Sequence, residues 1–199
     1  RIPESAPEQN GIEYRATLQL GPTGSGITSV QEKYLGTSNS RLHSFYRNLS
    51  QEQIRRSFEE KVSRYADQAI FRQASVGGTE DNSGQIVENF SFSGTFVSAS
   101  TGDSWFFQPL FLAGNSVPEI SARPRLLPLK VGTPYRVQGE YRIELPIGMR
   151  VAGVPEDTSV RSEFGSLEVK YSMSGNVLVT KEIISFTTSR VPAEKYDAF

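Results

Sequence analysis

Trp105, Phe106 and Phe107 follow one another in the chain, and this is the one cluster whose side chains suit ligand contact. Flat aromatic faces stack on sugar rings and peptide side chains, so the three are candidates for a carbohydrate- or peptide-binding surface. Large aromatics are more often the filling of a sheet core. Their exposure decides between the two.

Other residues with chemical potential lack the company they need. Gly21-Pro22-Thr23-Gly24-Ser25-Gly26 resembles a phosphate cradle, but a P-loop ends in Gly-Lys-Ser/Thr and opens a helix. Here Ile27-Thr28 and strand-like residues follow, as in a hairpin loop. His43 is the single histidine, with no serine in a nucleophile-elbow pattern to join it, and reads as a surface or cap residue. Cysteine is absent, which excludes disulfides, zinc–thiolate sites and a thiol nucleophile. No Asp/Glu/His group has metal-ligand spacing, and Glu59-Glu60 and Glu80-Asp81 read as solvated charges. The expectation is a non-enzyme with no catalytic, cofactor-binding or metal-ligating residue, and no cofactor.

The whole chain sets the limits. With 199 residues it has material for one large domain or two lobes. A net charge of −1 with no run of like charges gives no footprint for nucleic acid or an anionic membrane. No apolar run approaches the roughly 18 residues that span a bilayer, so membrane attachment would rest on segments outside this chain. Arg1 in place of Met marks a fragment or a processed product, from which a signal peptide would leave no trace.

Periodicity supplies the elements that position these residues. In Tyr135–Leu145 the odd residues Tyr135, Val137, Tyr141, Ile143 and Leu145 alternate with Arg136, Gln138, Glu140, Arg142 and Glu144. That is a half-buried strand with its odd side inward, ended by Pro146 and Gly148. Leu167, Val169, Tyr171 and Met173 share one face of a second strand, and Ser174-Gly175-Asn176 turns it into a third over 177–186. Nearer the start, Tyr14 to Leu20 alternates and pairs with 27–35 across the glycine loop. Asn39 or Ser40 suits the cap of a short helix carrying Leu42, Phe45 and Leu49. Ser50 and Gln53 form a capping box for a second helix, whose Ile54, Phe58, Val62, Tyr65 and Ala69 make one apolar stripe. Glu52–Arg56 and Glu60–Arg64 lie four apart on its solvent side. Residues 70–76 and 86–97 read as strands, and 104–112 as a strand buried on both faces or bent at Pro109.

Strands without a βαβ rhythm, and two adjacent helices within residues 40–69, predict an α+β protein of mainly antiparallel β-sheets or a β-sandwich. The expected organisation is a tail over 1–12, an α+β lobe over 13–122 and an antiparallel β lobe over 123–199. Two lobes sharing one sheet fit the same spacings.

The run Tyr141-Arg142-Ile143-Glu144-Leu145-Pro146-Ile147-Gly148-Met149-Arg150-Val151 is followed by Val154-Pro155-Glu156 and Phe164-Gly165-Ser166-Leu167. The chain closes on Arg190-Val191-Pro192-Ala193-Glu194-Lys195-Tyr196-Asp197-Ala198-Phe199. In that order these resemble the C-terminal, DUF3858-like region of bacterial DUF3857/transglutaminase-like proteins, most closely over 135–199 and more loosely over 12–113. Members of that family carry a Cys-His-Asp core upstream of such a region, so nothing catalytic carries over to a chain without cysteine. The resemblance implies a non-catalytic accessory, structural or protein-binding domain of an exported protein, in the periplasm or at the cell surface, or secreted. Its partner would be the transglutaminase-like domain of the same polypeptide or another protein. The alternative is the carbohydrate- or peptide-binding β-module built on the aromatics around Trp105.

Overall fold

Two antiparallel strand pairs from opposite halves of the chain lie side by side and form the middle of one sheet. The computed structural model describes residues 5–80, 84–101, 104–107 and 126–198. In the first hairpin β1 (Gly11–Leu20) pairs with β2 (Ser25–Leu35) around a turn in which Gly24 has φ +82°. That backbone is left-handed and favours glycine. Helix α1 (Gly36–Tyr46) follows at once, then α2 (Gln51–Val62). Strands β3 (Asp67–Gly77) and β4 (Val87–Thr95) return to the sheet, and β5 (Val97–Thr101) pairs with β6 (Ser104–Phe107) apart from it. Strand β7 (Leu129–Lys130) pairs with β12 (Arg190–Val191), also apart. The remaining strands are β8 (Tyr135–Glu144), β9 (Thr158–Ser162), β10 (Gly165–Ser174) and β11 (Val177–Phe186).

The eight-stranded sheet runs β3-β4-β2-β1-β8-β11-β10-β9. Every neighbouring pair is antiparallel except β1 and β8, which run parallel with Gly11 opposite Arg136 and Leu18 opposite Ile143. The protein is therefore α+β and mostly strand, as the periodicity predicts, but its main sheet is mixed.

One face carries the core. Tyr14, Ala16, Leu18 and Leu20 of β1 share it with Val30, Phe90, Phe92, Val137, Tyr141, Ile143, Leu178 and Ile184. Helix α2 lays Phe58 and Val62 on this face; the Phe58 and Phe90 rings are 5.5 Å apart. The opposite face is polar, the ordinary division of an antiparallel sheet with one wet side.

Several local expectations change in detail. The Ser50–Gln53 capping box forms, but α2 ends at Val62, so Tyr65 packs from the following turn and Ala69 from β3. Arg56–Glu52 forms at 3.2 Å and Arg55–Glu59 at 3.0 Å. Glu60–Arg64 is absent from the ion pairs of the described residues, because Arg64 lies beyond the helical register. Helix α1 starts before Asn39 and Ser40, ends before Leu49, and has no side-chain cap from its own first residues. Asn10 serves instead, its Oδ1 accepting from Thr37 N at 3.0 Å. Asn39 ties the helix to Gly84 O and Ile86 N. The even residues of β8 are half-buried rather than exposed, because β8 has a neighbour on each side. Strand β6 is not buried on both faces: Trp105 and Phe107 turn inward while Phe106 turns out. Residues 108–125, which include Pro109 and the 122/123 lobe boundary, lie outside the described residues, as does Asp81.

Candidate functional site

Of the three aromatics that open the sequence reading, Trp105 and Phe107 pack against the main core and Phe106 is 59% exposed. Alternation along β6 accounts for this, since neighbouring side chains of a strand point to opposite sides. Phe106 turns outward, while Trp105 and Phe107 are half-buried. His43 is buried rather than at the surface, with Nε2 2.6 Å from Gly84 O. It ties α1 to the chain entering β4 and meets no nucleophile there.

The polar groups that do converge come from residues the sequence reading passed over. Glu32 on β2 and Glu88 on β4 are directly paired across the two strands, on the apolar side. The ammonium of Lys61, one turn past Phe58 in α2, reaches down between them, bonding Glu32 and lying 2.5 Å from Glu88 Oε2. Tyr34 donates to Glu32, lies 3.1 Å from Glu88 and accepts from Lys61 at 3.0 Å; Tyr46 donates to Glu88 at 2.7 Å. Lys61 also sits over the Phe90 ring, 4.8 Å from its centre, a cation–π contact. Burial by itself would lower the Lys61 pKa, but the charges of Glu32 and Glu88 outweigh it and hold the ammonium above its ordinary value. The Tyr34 phenol is pushed well up, first by burial and then by the same carboxylates; burial and Glu88 do likewise to Tyr46.

A hollow of about 410 Å³ opens above this network between α1 and α2, with Phe45, Tyr46, Arg64 and Tyr65 on its walls. Its floor offers little chemistry. The three N–H donors of a protonated lysine are all taken up, and a protonated amine is not a nucleophile. The cluster works as a clamp that fixes α2 to β2 and β4. Among the described residues, no group of three or more His, Asp or Glu side chains is placed to hold a metal ion.

A third buried carboxylate stands in the same cross-sheet row. Tyr14 lies opposite Gly139, and its hydroxyl donates at 2.5 Å to Glu182 on β11, which is 2% exposed. Gly139 makes the crossing possible: a Cβ there would come within 2.5 Å of the Tyr14 ring. Burial, then the Glu182 charge, raises the Tyr14 pKa far above that of free tyrosine. The signal for all three carboxylates was in the sequence, since Glu32, Glu88 and Glu182 share the parity of Val30, Phe90 and Ile184. A charge on the apolar side of a strand needs a partner.

This row crosses the join between the two halves of the chain, and there a comparison with known families divides it. Residues 103–199 match the family model of a Domain of Unknown Function with solved-structure structure (DUF3858). No curated protein matches the chain. The matched segment supplies β8, β11, β10 and β9, and the residues before it supply β3, β4, β2 and β1, so the parallel β1–β8 pair is the seam.

Proposed function

We propose that this chain is a non-catalytic accessory module of a bacterial exported transglutaminase-like protein, working as a structural or protein-binding element in the periplasm or at the cell surface. The observation that carries the reading is the DUF3858 match, falling on the segment whose motifs resemble the C-terminal region of such proteins. The convergent polar groups support it. Lys61, Glu32, Glu88 and Tyr34 bond one another, an arrangement suited to holding a shape. The partner is the transglutaminase-like domain of the same polypeptide, or another protein.

Mixing the chain with a transglutaminase-like catalytic domain from such a polypeptide tests this. Binding raises the melting temperature with the logarithm of one plus the ratio of partner concentration to Kd. Turnover by the chain alone, lost on His43→Ala, would overturn the reading. A second reading, the carbohydrate- or peptide-binding β-module, now rests on Phe106, the one outward ring of the three. It gains if the catalytic domain gives no shift while an oligosaccharide or peptide does, and that shift disappears in Phe106→Ala.

A further inference from the structure

The outer face of the sheet is not uniform. Over β8, β11 and β10 it carries opposed charges that pair with one another, Arg142 and Lys181 with Glu140 and Lys170 with Glu168. Between β3 and β1 two adjoining rows are built of hydroxyls and amides instead. Ser75, Asn89, Gln31 and Arg15 stand abreast, one to a strand, and Gln73, Ser91, Ser29 and Thr17 stand beside them. The second row is mostly short, so it forms the floor of a trough of about 480 Å³, with Ser91 only 6% exposed at its base. Gln31 donates to Asn89 at 2.9 Å along the taller row. Arg15 is the one charged residue on the lining. Glu140 faces it across the β1–β8 pair but bonds Arg142 and lies 3.6 Å from Lys181, and Arg15 enters none of the ion pairs among the described residues.

We propose that this trough binds an oligosaccharide that carries carboxylate groups, laid across the strands. The backbone N–H and C=O groups beneath it are used in the ladders on either side, so an added peptide strand has nothing to pair with on this face. What the face offers is a side-chain hydrogen-bonding group on each strand, repeated at the strand spacing of about 4.8 Å over a width of about 14 Å. Ser, Thr, Asn and Gln side chains both donate and accept, as sugar hydroxyls do. A chain of sugar rings laid along the trough meets one such group per strand. The charge selects the sugar: the Arg15 guanidinium, with its donors in a fixed fork, matches a carboxylate at the β1 end. Phe106 lies on the separate β5–β6 ribbon and takes no part.

Titrating the isotope-labelled chain with tri-galacturonic acid, and with galactotriose as its neutral counterpart, tests the proposal through backbone amide shifts. The acidic sugar should shift residues of β1, β2 and β4, and the neutral one should shift the same residues more weakly. Arg15→Gln should weaken binding of the acidic sugar roughly ten-fold or more and leave the neutral sugar unchanged. Ser29 is exposed, so Ser29→Gln fills the floor of the trough without touching the core, and it should abolish both. Phe106→Ala should change neither. No shift at about 10 mM tri-galacturonate, where a site of about 1 mM Kd is nearly full, overturns the proposal. So do shifts that centre on β6, equal affinity for the acidic and neutral sugars, or equal shifts with citrate, which would mark Arg15 as an ordinary anion contact.

Discussion

At the scale of single residues, the Lys61 ammonium is the cation that bonds the buried carboxylates of Glu32 and Glu88. Lys61→Ala strands both charges beneath α2, and breaking a buried pair in this way costs about 3–5 kcal/mol. A urea titration at neutral pH should show a loss of that order; one below about 1 kcal/mol would mean that water already reaches the carboxylates. The same groups set the response to alkali. Tyr14, Tyr34, Tyr46 and Lys61 all have folded pKa values above their unfolded values of about 10.0–10.4. Above that range the unfolded chain gives up these protons while the folded one keeps them, so it binds fewer and stability falls as pH rises. Urea midpoints should therefore be insensitive to these groups up to about pH 10 and drop steadily beyond it. A midpoint still level at pH 11.5 would contradict the linkage.

The elements were the most legible part of the sequence. The capping box at Ser50 and Gln53 signals α2 because both partners lie within four residues, and it forms as expected. The two-residue turn Gly175-Asn176 sets the β10–β11 register, with Ser174 opposite Val177 and Gly175 at φ +62°. The end of α2 was harder to read, since the apolar spacing continues through Tyr65 and Ala69 while the chain turns after Val62. Spacing alone does not tell a helical contact from one made by the next turn or strand. The polar network was beyond local reading for the same reason: Glu32 and Lys61 are 29 residues apart, and Tyr14 and Glu182 are 168. Parity marks such carboxylates as misplaced but cannot name their partners. At this scale Phe58 is the anchor of α2, 1% exposed, stacked near Phe71 and tilted against Phe90. Phe58→Ala should cost about 3–5 kcal/mol, and Ser50→Ala about 1 kcal/mol through the lost cap. Equal losses from the two, measured by denaturant midpoint, would show that α2 is held by its cap and not by its packing.

For the whole molecule the decisive feature is the seam. Strands β1 and β8 pair over Gly11–Gln19 and Arg136–Glu144, so the DUF3858 segment shares a ladder with residues that precede it in the chain. Tyr14 seals the joint by lying over Gly139 and satisfying Glu182 from across it. A shared ladder and a shared buried carboxylate couple the two halves, and coupled halves unfold together. Trp105, the single tryptophan, packs on the core these strands form, so its fluorescence reports on that core while far-UV circular dichroism reports on all strands. The two signals should lose native character at one urea midpoint. Gly139→Ala forces a methyl group into the Tyr14 ring; overpacking of this kind costs about 1–3 kcal/mol, and displacing Tyr14 adds the loss of the Glu182 bond. Both signals should then shift to lower urea by the same amount. If the fluorescence midpoint moves and the dichroism splits into two steps, the seam is a contact between independently stable halves. A common shift means that the first hairpin and the strands the family model covers form one cooperative sheet.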